Sequence, residues 1–136
     1  MRSVLAQAGG APAPRQPKGK VLRFSPQRAD ARGWRLVELV ATARGLSATA
    51  MMGQDRGKAD VALARQLAMY LMHTHYSRIY SEVGRFFGRD RTTVSHACAL
   101  IEEMREEAAF DEHVARLEAI LSGEASAERE ITRAAG

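Results

Sequence analysis

Gly84-Arg85-Phe86-Phe87-Gly88-Arg89-Asp90-Arg91-Thr92-Thr93-Val94-Ser95-His96-Ala97-Cys98 is the stretch that decides how this 136-residue chain folds. It reads as the end of one short helix, a tight turn at Gly88 and the start of a second helix. The second helix opens on Arg91, Thr92 and Thr93 behind Asp90. A helix-turn-helix carries groups of this kind into the DNA major groove on the first turn of its second helix. On a wheel over 91–107, Val94, Ala97, Cys98, Ile101 and Met104 form one apolar stripe. Thr92, His96, Ala99 and Glu103 lie opposite, with Ser95 beside them. Glu102, Glu103, Glu106 and Glu107 would be repelled by phosphates, so only the first two turns can approach DNA.

Each position on that head has a chemistry suited to reading. Arg89 and Arg91 can pair with phosphate, or bidentately with guanine O6 and N7. Asp90 has two available jobs. It can cap the helix by accepting backbone N–H bonds, or accept from cytosine N4. Thr92 and Thr93 present methyls to thymine and hydroxyls to bases or phosphate, though threonines also open helices for capping alone.

Outward from this head, 33–44, 60–75, 79–87, 91–107 and 110–121 read as helices, with a loop over 46–60. Asp60 is the expected cap of the helix over 60–75, and Gly123 is the expected stop of the last. Residues 1–30 hold Gly9, Gly10, Pro12, Pro14, Pro17, Gly19 and Pro26, with six Lys/Arg against Asp30. They read as a flexible basic arm, either merely solvated or adding phosphate and minor-groove contacts. Residues 31–122 form the domain, and 123–136 a flexible tail. With no strand pattern and no repeat, the fold class is all-α: a small helical domain containing a helix-turn-helix.

Charge is divided along the chain. Residues 1–100 hold 16 basic and 6 acidic side chains, a net of +10, and residues 101–136 hold 4 and 10, a net of −6. The basic part includes the reading head. Cys98 is the only cysteine, so no internal disulfide or Cys-rich zinc site can form. No apolar run approaches membrane-spanning length, and Val4-Leu5-Ala6 is too short for a signal peptide. These features predict a cytoplasmic, nucleoid-associated protein with no membrane partner. Gly53-Gln54-Asp55-Arg56-Gly57-Lys58-Ala59 falls short of a phosphate loop by one residue, and Ala59 lacks the hydroxyl that would hold Mg²⁺. His73 and His75 lie two apart, a poor helical spacing for a metal. No cofactor, metal or enzymatic activity is expected.

Ala64-Arg65-Gln66-Leu67-Ala68-Met69-Tyr70-Leu71, followed by Glu82-Val83 and the stretch from Gly84 to Cys98 and then Ile101-Glu102, closely resembles the C-terminal DNA-binding domain of the DnaA family of bacterial chromosomal replication initiators. The resemblance covers roughly residues 33–121. It implies a helical domain that binds a short asymmetric DNA box. It assigns Asp90, Arg91, Thr92, Thr93 and His96 to base or backbone contacts. It also implies a basic residue entering the minor groove from the loop before the Arg65-Gln66 helix. That residue aligns near Gly57, which leaves Arg56 or Lys58 to substitute. Four departures are evident. One Gly precedes Arg89-Asp90 where the family has two. Arg91 stands where the family carries His. Ala99 and Leu100 replace two basic residues. Ile79 replaces the Ser that caps the first motif helix, which leaves Ser77 or Ser81 to cap instead. The family's ATPase module has no counterpart, so a stand-alone domain that recognises DNA without melting it is expected.

The expected function is therefore sequence-specific binding of double-stranded DNA, including initiator boxes, in transcriptional regulation or modulation of replication initiation. The DNA-binding set is Arg56, Lys58, Arg65, Arg89, Asp90, Arg91, Thr92, Thr93, Ser95 and His96. Two alternatives stand beside it. One is a protein-interaction module docking on the initiator or the transcription machinery through the acidic surface after residue 101. The other is non-specific nucleoid coating driven by the arm. A single module buries only ~600–1,000 Å² of its own surface on DNA, so either a homodimer or the arm is expected to add contacts.

Overall fold

The computed structural model describes residues 30–53 and 58–135. Residues 1–29 of the expected arm over 1–30, and Arg56, lie outside the described residues. Those described contain six helices and no strand: α1 (Ala31–Arg44), α2 (Ala48–Met51), α3 (Ala59–His75), α4 (Tyr80–Phe87), α5 (Arg91–Met104) and α6 (Ala108–Ala135).

α3 is the central element. Ala64, Leu67, Ala68, Leu71 and Met72 are fully buried, and Met69 and Tyr70 nearly so. Apolar residues thus wrap more than one face, as a helix packed from several sides requires. α2, α4, α5 and α6 all contact it. α1 adds Leu36, Val37 and Val40 to the same core, and α6 adds Val114, Leu117 and Leu121. Aromatic mass comes mainly from Phe86 and Phe87, whose rings meet edge to face with centroids 5.0 Å apart.

Helix ends follow from local chemistry. α1 stops where Gly45 takes the left-handed conformation (φ +70°). The Leu46 amide then bonds the Ala41 carbonyl at 2.8 Å, closing the last turn in a Schellman arrangement.

Three helix starts differ from the sequence reading by one or two residues, at Ala31, Tyr80 and Ala108, and four further differences bear on the fold. The 46–60 loop contains α2, capped by Ser47, whose Oγ accepts from the Ala50 amide at 3.3 Å. α3 starts at Ala59 with Lys58 at the N-cap, so Asp60 lies inside the first turn and accepts from Val61 N at 2.9 Å. α5 ends at Met104 rather than 107, because the Glu106 and Glu107 amides turn back to the carbonyls of Glu103 and Met104. α6 runs through Gly123 to Ala135. Glycine weakens a helix interior but does not oblige it to end. The continuation brings Glu124 to Arg35 of α1, 2.8 Å away.

The bend after α5 is locked by Arg105. Its Nε donates to Asp111 Oδ1 at 2.6 Å, and its Nη1 donates to Glu118 Oε2 at 3.0 Å and to the Tyr70 hydroxyl at 3.1 Å. Tyr70 in turn donates to Glu102 Oε2 at 2.8 Å. One guanidinium therefore ties α3, α5 and α6 together, and these partners hold its pKa above the usual arginine value.

Candidate nucleic-acid interface

The reading head is built from the turn between α4 and α5. α4 begins behind Ile79 as its N-cap, not behind Ser77 or Ser81, and Ile79 has no acceptor for the helix's first amides. Glu82 compensates in part, its Oε1 accepting from Ile79 N at 3.3 Å. Val83, Phe86 and Phe87 bury the inner face. The helix ends at Gly88, again left-handed at φ +70°. The Arg89 amide crosses to the Gly84 carbonyl at 2.8 Å. Gly84 lies so close to the returning chain that a Cβ there would run into the Arg89 carbonyl. Its lack of a side chain lets α5 leave the turn close to α4.

Asp90 then caps α5. Its backbone is extended, and Oδ1 accepts from the Thr93 amide at 2.8 Å. That amide and the Thr93 hydroxyl hold the Asp90 carboxyl below the ordinary carboxylate range. Of the two jobs open to Asp90, capping is the one its geometry performs.

The rest of α5 is divided by its periodicity. Val94, Ala97, Cys98 and Ile101 are buried in the core. Arg91, Thr92, Thr93 and His96 are exposed and Ser95 partly so. Thr92 and His96, four residues apart, share one outward strip. Lys58, at the N-cap of α3, is also exposed. The sequence-assigned set thus includes an exposed group made of Lys58, Arg91, Thr92, Thr93 and His96.

Two arginines of that set are elsewhere. Arg65 is 7% exposed and its Nε donates to the Met51 carbonyl at 2.7 Å. It faces α3's packed side and holds the end of α2. Arg89 is half-buried, with Nη1 donating to the Phe87 carbonyl at 3.2 Å and Nη2 to the Gly53 carbonyl at 3.1 Å. Both arginines satisfy backbone carbonyls inside the domain. Composition cannot distinguish such an arginine from a phosphate-binding one. For Arg65, a buried helical register among Ala64, Leu67 and Ala68 was the available signal.

The acidic half of α5 also has an internal role that spacing alone did not reveal. Glu102 is spent on Tyr70, 32 positions away. Cys98 is 6% exposed, and burial pushes its thiol pKa up to about 11. It is a core side chain and a poor nucleophile. His73 Nδ1 lies 2.7 Å from the Arg78 carbonyl and its ring packs on Tyr80. Among the described residues, no group of three His, Cys, Asp or Glu could hold a metal ion, and no helix is long and apolar enough to cross a membrane.

Residues 35–101 match the family described as bacterial dnaA protein helix-turn-helix. The match begins in α1 and ends in α5, so it spans the turn between α4 and α5 and the exposed start of α5. Curated relatives include chromosomal replication initiator proteins DnaA. That of Deinococcus radiodurans is 35% identical over 80 residues, 59% of this chain and 17% of its own length. That of Thermus thermophilus is 37% identical over 84 residues, 61% of this chain and 19% of its own. DnaA 1 of Chlamydia pneumoniae is 33% identical over 81 residues, 60% of this chain and 17% of its own. The chain thus spans less than a fifth of the length of these relatives.

Proposed function

Residues 35–101 belong to the bacterial DnaA helix-turn-helix family, and from that premise we propose that this chain binds double-stranded DNA sequence-specifically through α5. The observation that carries the reading is the exposed first turn and a half of α5. Arg91, Thr92, Ser95 and His96 are presented there on a turn fixed by Gly84, Gly88 and the Asp90 cap.

In this reading α5 lies in the major groove by its N-terminal end. Arg91 donates to guanine O6 and N7 or to phosphate. Thr92 meets a thymine methyl or a base-edge acceptor, and His96 extends the same strip one turn later. Thr93 has its amide and hydroxyl on Asp90, leaving its methyl for contact. Lys58 pairs with phosphate as a point charge. Arg65 and Arg89 act behind the surface. Glu103, Glu106 and Glu107, exposed beyond the second turn, oppose deeper entry of the helix. The target is the replication initiator's box, and the role is modulation of replication initiation, or of transcription at promoters holding such boxes.

Methylation-protection footprinting on a duplex carrying one initiator box tests the mode of docking. The proposal expects protection of guanine N7 within the box, on the major-groove side. Protection confined to sugars and phosphates with no box boundary would contradict it, and would favour a non-specific electrostatic binder.

A further inference from the structure

Arg89 sits between two parts of the domain that are distant in sequence. Its backbone amide is bonded to Gly84 at 2.8 Å, and the next residue, Asp90, caps the reading helix. Its side chain reaches back 36 positions, where Nη2 donates to the Gly53 carbonyl at 3.1 Å. Nη1 meanwhile donates to the Phe87 carbonyl at 3.2 Å, which fixes the plane of the guanidinium against the end of α4. The segment it grips, residues 51–53, is also held by Arg65, whose Nε donates to the Met51 carbonyl at 2.7 Å. One arginine on α3 and one on the turn therefore clamp the same short segment.

We infer that Arg89 is a positioning residue, which fixes the segment ending at Gly53 relative to the first turn of α5. The inference rests on the reading above, in which α5 and the exposed Lys58 at the start of α3 contact the same duplex. Two contact elements that meet one rigid rod must keep a set spacing, and freedom between them is lost as affinity. The guanidinium meets the two carbonyls with two separate nitrogens held in one plane, a geometry that the single ammonium nitrogen of lysine does not reproduce. Lysine has the charge but presents it as a point. On this account Arg89 contributes to DNA binding without reading a base.

The test uses the full chain with Arg89→Ala and Arg89→Lys, and has one arm without DNA. Hydrogen exchange should accelerate at the Met52 and Gly53 amides in both variants, with α5 amides protected as in the parent. Unchanged exchange at Met52 and Gly53 would overturn the inference whatever the DNA result. In the second arm, affinity for a box duplex should fall roughly tenfold in both variants, as expected for one lost charge-assisted constraint. Replacing box guanines singly by 7-deazaguanine should cost parent and variants the same factor. A 7-deazaguanine penalty that disappears in Arg89→Ala alone would make Arg89 a base reader and overturn the inference. A full-strength Arg89→Lys would overturn it as well, since charge without the fork would then suffice. If the parent itself does not prefer the box, the DNA-binding reading fails, while the exchange arm still decides whether Arg89 holds Gly53. If Arg89→Ala does not fold, Arg89→Lys, which keeps the stem and the charge, answers both arms.

Discussion

The Arg89 amide lies 2.8 Å from the Gly84 carbonyl oxygen, and Gly84 has no side chain between them. This crossing lets the chain reverse within a few residues and start α5 at the edge of α4. Gly84→Ala should therefore destabilise the fold by about 2–3 kcal/mol, because the added carbon meets backbone that cannot move aside. Thermal unfolding followed by circular dichroism checks it, with a fall in Tm of roughly 10 °C expected for a domain of this size. Gly123→Ala is the matched contrast. Nothing lies within 4 Å of a Cβ there, and the residue is inside α6. Tm should rise, by up to the ~1 kcal/mol that separates glycine from alanine in a helix.

Asp90 predicts a pH dependence whose sign can be worked out. Its carboxyl is held below the ordinary carboxylate range in the folded state by the Thr93 amide and hydroxyl. The folded state thus binds a proton less readily than the unfolded one, and the cap's contribution is present above the unfolded pKa. It is lost as pH falls through the folded value. Asp90→Asn still caps but does not titrate. Melting curves between about pH 7 and pH 3 should show a smaller loss of Tm for Asp90→Asn than for the parent. Parallel losses would contradict the assignment.

Arg105 holds the corner between α5 and α6 with Asp111, Glu118 and Tyr70. Arg105→Met removes the donor and leaves acceptors partly buried. A loss of about 2 kcal/mol is expected from charge-assisted bonds of this kind. Urea titration should show a lower midpoint with an unchanged slope. Box affinity below the unfolding transition should stay within about twofold, since the corner lies at the far end of α5 from the reading residues and distant sites act additively.

Thr92 and Thr93 carry the sequence preference proposed for α5. The double alanine variant should lose at least roughly 30-fold in affinity for the box, with little change for random DNA, at ~1–3 kcal/mol for each of two lost base contacts. Lys58→Ala should instead weaken both duplexes alike and reduce the salt slope by about one. Competition anisotropy measures both. A preserved ratio of box to random affinity in the double variant would remove α5 from the reading role.

The turn and the helix that follows it, α5, were legible because their signals are local. Gly88 is left-handed, Asp90 caps, and the stripe Val94, Ala97, Cys98, Ile101 is buried at its expected period. The two arginines placed on the DNA surface were less legible for a physical reason. A guanidinium suits a phosphate and a backbone carbonyl equally, and only tertiary structure shows that Arg65 meets Met51 and Arg89 meets Gly53. α6 misled for the opposite reason. Gly123 is a strong local stop signal, and Arg35, the partner of Glu124 in the following turn, lies 89 positions away. Non-local pairs such as Tyr70 with Glu102 leave no periodic trace at all.

The most direct test of the central claim is fluorescence anisotropy on labelled duplexes, an initiator box against its scramble, across a series of salt concentrations. Base readout by α5 predicts that the box binds more tightly than the scramble and that the ratio persists as salt rises, while both affinities fall by counterion release. Equal affinities that collapse together with salt would contradict it, leaving only attraction between a basic chain and a polyanion.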